Sequence, residues 1–112
     1  MIAVIFEVEP AEGQRHRYLD IAAELRPQLD GIDGFISVER FQSLSQPGKL
    51  VSLSFFTSED AVQQWRLTAE HRASQKAGRS GVFSNYRLRV ASVIRDYGLK
   101  VREEAPADLR GD

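Results

Sequence analysis

Apolar positions recur along this chain at two spacings. Residues 2–9 read IAVIFEVE: six of the eight are apolar, and several are β-branched or aromatic, which predicts a strand. Pro10 and Gly13 punctuate its end. Across residues 11–29, Tyr18, Ile21, Ala22, Leu25 and Leu29 fall three or four apart. That spacing lays one apolar stripe on a helix. Pro27 comes near its last turn, and Asp30-Gly31 stops it. Residues 34–42, GFISVERFQ, read as a second strand. The turn Gln46-Pro47-Gly48-Lys49 then leads into a third strand over residues 50–56, making a hairpin. Thr57 or Ser58 caps a second helix, with Glu59 and Asp60 in the first turn, where acids are favourable. This helix carries Ala61, Val62, Trp65, Ala69 and Ala73, and is expected to run to Lys76 or Ala77 and end at Gly78. A long last strand is expected over residues 81–97, stopped by Gly98.

The order β-α-β-β-α-β is the split βαβ pattern, an α+β ferredoxin-like fold with an antiparallel sheet. Residues 1–97 form the expected domain, and residues 98–112 a charged C-terminal tail with little to bury. Strand side chains alternate between sheet faces. Two helices cover one face, so a lone domain should show a polar second face. Here both faces are apolar. Ala3 and Ile5 oppose Ile2, Val4, Phe6 and Val8; Val51, Leu53 and Phe55 oppose Leu50 and Phe56; Ala91 and Val93 oppose Tyr86, Leu88, Val90 and Ile94. Burying the second set contributes on the order of 10 kcal/mol, at roughly 1.5–3 kcal/mol per large side chain. The cost of association is about 4–15 kcal/mol. A homodimer with sheets packed face to face is therefore expected.

Composition narrows the function. The 112 residues carry a formal net charge of −1, which argues against a dedicated nucleic-acid binder. An RNA-recognition domain shares the element order, but residues 49–56 read KLVSLSFF, without the glycine and early ring of a base-stacking strand. The basic residues cluster: Arg66, Arg72, Lys76, Arg79, Arg87, Arg89 and Arg95 face one acid, Glu70, between Trp65 and Arg95. That cluster either pairs with the acidic first helix and tail or forms an anion-friendly site. The absence of cysteine excludes disulfides and thiolate chemistry, and two scattered histidines give no metal-ligand spacing. No apolar run suffices to span a membrane and the N-terminus shows no signal-peptide pattern, so no membrane partner is expected and the cytoplasm is the default location.

The Asp33-Gly34-Phe35 start of strand two, the joint LSFFTSEDA at residues 53–61 and Trp65 in the following helix resemble the antibiotic biosynthesis monooxygenase family. The resemblance spans residues 1 to about 97. It implies a dimeric α/β barrel built of ferredoxin-like halves, and cofactor-independent oxygenation of an aromatic or quinol-type small molecule by O₂. The family's haem-degrading branch uses an Asn on strand one, a Trp on helix two and an iron-binding His beyond it. Trp65 matches the Trp, but the Asn position falls on Phe6 and the His position on Gln75. Glutamine is a poor iron ligand beside imidazole, so haem is disfavoured and no cofactor is expected.

The candidate chemistry lies on helix two and its exit. His71 can serve as base because imidazole titrates near neutral pH, although on a straight helix it points away from the Trp65 stripe. Arg72 or Arg79 can hold a developing oxyanion. Trp65, Phe6, Phe83 and Tyr86 can line an aromatic cavity, with Trp65 a catalytic candidate beside His71 and Gln75 a further substrate-binding candidate. Each has a plain alternative: His71 as a solvated or capping residue, Trp65 and Tyr86 as core. His16, between Arg15 and Arg17, reads as surface. A non-catalytic small-molecule-binding or stress-responsive dimeric barrel is the competing function.

Overall fold

The computed structural model describes residues 1–68, 72, 76 and 81–109. In chain order its elements are β1 (Ile2–Pro10), α1 (Arg15–Asp30), β2 (Phe35–Gln42), β3 (Leu50–Phe56), α2 (Glu59–Arg66) and β4 (Phe83–Ser92). This is the expected βαββαβ order. The four strands form one antiparallel sheet in the order β2-β3-β1-β4, so β1 is central and β4 an edge strand.

The register sorts side chains by face. Val38, Ser54, Val4 and Val90 form one cross-strand row, and Arg40, Ser52, Phe6 and Leu88 form the next. Both helices face these rows. On the reverse side, Glu39, Leu53, Ile5 and Arg89 form a row, beside a second of Phe41, Val51, Glu7 and Arg87. That reverse face has an apolar centre and charged ends. Arg89 Nη1 donates to Glu7 Oε2 at 2.9 Å, and this bond, with nearby Lys49 and Arg87, holds the Glu7 carboxyl below its ordinary value against the opposing effect of desolvation.

Two buried clusters pin the helices to the sheet. Val8, Tyr18, Leu50 and Val82 pack at one end, with Phe6 and Phe83 against them. Leu29, Phe56 and Ala61 pack at the other, joined by Phe35, Val62 and Trp65. Gly34 serves this second cluster. Its φ is +92°, and a Cβ there would lie 2.5 Å from Thr57 Oγ1 and 2.9 Å from the Ala61 Cβ. Only glycine lets the start of β2 approach the start of α2 so closely.

The ends of the last strand and of the second helix differ from the sequence expectation, and the structure chooses between the two N-cap candidates of that helix. β4 covers Phe83–Ser92 rather than 81–97. It ends where its partner does: Ile2 of β1 pairs with Ser92, and one further bond joins Val93 N–H to the Met1 carbonyl. Beyond Val93 no neighbouring strand among the described residues offers hydrogen bonds. α2 closes at Arg66, with Leu67 as its C-cap. Thr68 turns its hydroxyl onto the Trp65 carbonyl at 2.9 Å, a local bond that competes with helix continuation. Arg72 and Lys76 are helical, and the expected stop at Gly78 lies outside the described residues. Ser58, rather than Thr57, is the α2 N-cap. The tail is not wholly polar in its packing, because Ala105 is fully buried and the Arg102 guanidinium stacks over the Tyr97 ring.

Candidate functional site

A cavity of about 260 Å³ lies between the two helices and the sheet. Its floor is the two cross-strand rows described above. They explain why a space exists at all: β3 contributes only Ser52 and Ser54 there, and α1 contributes Ala22 opposite. Small side chains at the middle of a sheet leave volume that the larger neighbours Val4, Phe6 and Val38 do not fill. Trp65, Val62 and Arg66 of α2 form one wall. Tyr18, Ile21, Leu25 and Leu29 of α1 form another, the stripe that periodicity assigned to the core. On the β4 side, Tyr86, Leu88 and Val90 line the cavity yet stay about half exposed. β4 is an edge strand, so the cavity is open there.

One end of the cavity is an aromatic nest. The Phe6 ring centroid is 5.7 Å from that of Phe83, 5.7 Å from Tyr86 and 6.5 Å from Tyr18. Tyr18 meets Phe83 edge-on at 5.7 Å. Tilted and edge-on geometry is what ring quadrupoles favour, and it presents both faces and edges to a flat ligand.

Of the residues singled out from sequence, Phe6, Trp65, Phe83 and Tyr86 line this cavity together. Trp65 also packs on the Leu29–Phe56–Ala61 cluster, so it belongs to the core and lines the cavity at once. Arg72 is exposed, its N–H bonded to the Thr68 carbonyl at 3.1 Å, and it is not among the cavity's lining residues. His71, Gln75 and Arg79 lie outside the described residues. His16 is exposed, as read. Sequence reasoning missed Arg40, Ser52 and Tyr18 as cavity residues, and held Arg66 only as one member of the basic cluster. Arg40 had a signal: it stands two residues from Val38 on the alternating pattern of β2, on the helix-covered face rather than the solvent face.

Fold and site together define a ferredoxin-like α+β domain with a largely apolar, aromatic-lined cavity between helices and sheet. The family model for antibiotic biosynthesis monooxygenases matches residues 1–77, and the chain belongs to this family. It is 50% identical over 93 residues to jasmonate monooxygenase ABM of Pyricularia oryzae, covering 83% of this chain and 43% of that protein. It is 37% identical over 62 residues to the uncharacterized protein YqjZ of Bacillus subtilis, covering 55% of this chain and 53% of the other. The chain thus spans about half the length of the curated relatives it matches. Among solved structures, Rv0793 from Mycobacterium tuberculosis superposes with a TM-score of 0.77 at 16% identity, over 87% of this chain and 98% of that one. A Deinococcus radiodurans protein assigned to the antibiotic biosynthesis monooxygenases gives 0.78 at 10% identity, over 88% and 98%. At these identities the structural likeness bears on the fold.

Proposed function

We propose that this chain is a cofactor-independent monooxygenase domain acting on an aromatic or quinol-type small molecule, working as a homodimer. The observation that carries this reading is the aromatic cavity between helices and sheet in a member of this family. A quinol-type substrate supplies its own electrons. Loss of a proton leaves an electron-rich anion; that anion reduces O₂ and is captured by it. One oxygen atom stays in the oxidised product, and the other leaves as water with the substrate's hydrogens. The protein's tasks are to hold the flat ring, take up the proton and keep bulk water away. The Phe6–Phe83–Tyr86 nest and Trp65 suit the first task. For the second we assign His71, and for the oxyanion Arg79, on their chemistry and their position after Trp65.

The competing reading is a non-catalytic binding module. An oxygen electrode separates the two. Oxygen uptake with a panel of hydroquinones, lost in His71→Ala, is the expected result; no uptake with any of them leaves the binding module. The open sheet face supports the dimer. Ile5, Leu53 and Val51 form its apolar centre, and Phe41 lies exposed at its rim.

A further inference from the structure

Resting on the reading of the cavity as a ligand pocket, we propose that Arg40 is an anion anchor, so that the ligand is an otherwise apolar small molecule bearing a carboxylate. Arg40 projects from β2 onto the cavity floor, in the row it shares with Ser52, Phe6 and Leu88. It is only partly exposed, and its Nε is buried with no hydrogen-bond partner. No ion pair reaches it among the described residues. Its chain neighbours Glu39 and Phe41 stand on the opposite face of the sheet, so the nearest acid in sequence cannot neutralise it.

The rest of the cavity fits the same ligand. Arg66 adds a second guanidinium from the α2 wall, and the described lining holds no Asp or Glu. Two cations with no counter-charge among the described residues on the wall of a largely apolar cavity favour an anion inside it. A half-desolvated guanidinium gains from a bound carboxylate what it lost in leaving water. The planar fork of an arginine matches a carboxylate through two parallel N–H···O bonds. The Ser52 and Ser54 hydroxyls lie on the same floor as further donors. Apart from the Tyr18 and Tyr86 hydroxyls, the rest of the lining is apolar or aromatic: Val4, Phe6, Val38, Trp65 and Val90 require a hydrocarbon body. The volume of about 260 Å³ is near the lower end of the ordinary range for ligand pockets, roughly 300–1,000 Å³, which suits a compact molecule.

Calorimetric titration of the full chain with naphthoate and with its neutral counterpart naphthylmethanol tests the proposal. Naphthoate is expected to bind roughly tenfold or more tightly, the ordinary gain from a charge-assisted pair. Arg40→Met is expected to reduce that preference to about twofold or less while leaving naphthylmethanol affinity unchanged, which also shows that the variant is folded; Arg40→Lys retains part of it. Arg66→Met, on the exposed wall, lowers it by a smaller factor. If Arg40→Met does not fold, the wild type still decides: naphthoate affinity must fall with added salt and naphthylmethanol affinity must not. Equal affinities in the wild type, or a preference that survives Arg40→Met, overturns the anchor and leaves the cavity and the oxygenase reading standing. Binding of neither probe overturns the cavity reading and the anchor together. A preserved naphthoate preference without oxygen uptake on hydroquinones keeps the anchor and removes the oxygenase.

Discussion

Phe56 is 1% exposed and meets the Phe35 ring at 5.6 Å, in the cluster that joins α1, α2 and the sheet. Its removal leaves a void that these three elements cannot close together. Phe56→Ala is expected to cost about 3–5 kcal/mol in urea unfolding at fixed protein concentration. Glu7 behaves differently because it lies at the surface of the open face. Its carboxyl is held below the ordinary value of 4.5, first by the Arg89 hydrogen bond. A depressed carboxylate contributes stability that is fully present above the unfolded value and is lost as pH falls through the folded one. Melting temperatures of the wild type and Glu7→Gln are therefore expected to differ at neutral pH and to converge as the pH falls below the ordinary carboxylate range. The difference stays small, since the pair is partly solvent-exposed. A gap that widens on acidification counts against the Arg89 assignment.

Among the elements, α2 is short and depends on its ends. Ser58 Oγ accepts from the Ala61 N–H at 3.3 Å, and Glu59 and Asp60 sit in the positive first turn. Ser58→Ala is expected to cost about 1 kcal/mol in the same unfolding measurement, with Thr57→Ala near neutral. The β2–β3 hairpin and β1 could be read from the chain within a residue or so, because alternation and turn residues are local signals. The last strand could not. Its residues 93–97 have strand-like composition, but a strand exists only where a neighbour supplies hydrogen bonds, and β1 begins at Ile2. The end of α2 was hidden for a related reason: the Thr68 hydroxyl bond to the Trp65 carbonyl is a competition that periodicity does not register.

For the molecule as a whole, the sheet has helices on one side and a largely apolar centre on the other. Sedimentation at micromolar concentration is expected to show a dimer, and Leu53→Glu a monomer, because a charge at the middle of that face cannot be desolvated. A wild-type monomer would refute the pairing. The site shows the same division between local and global information. Phe6, Trp65, Phe83 and Tyr86 were legible as candidates because large aromatics are few and chemically distinct. Arg40 and Ser52 were not, because neither is unusual for its strand. They matter only through the row they form with residues 6 and 88, which are distant in the chain.

The hydrophobic pattern alone determined the element order, the antiparallel α+β class and the presence of apolar surface on both sheet faces, since each follows from the spacing of neighbours along the chain. Tertiary structure decided where the last strand and α2 stop, that an open cavity exists, and which cations enter it. A void is a shortfall of volume summed over four strands and two helices. It arises here because the small side chains of Ser52, Ser54 and Ala22 line the same space, and no single segment carries that sum.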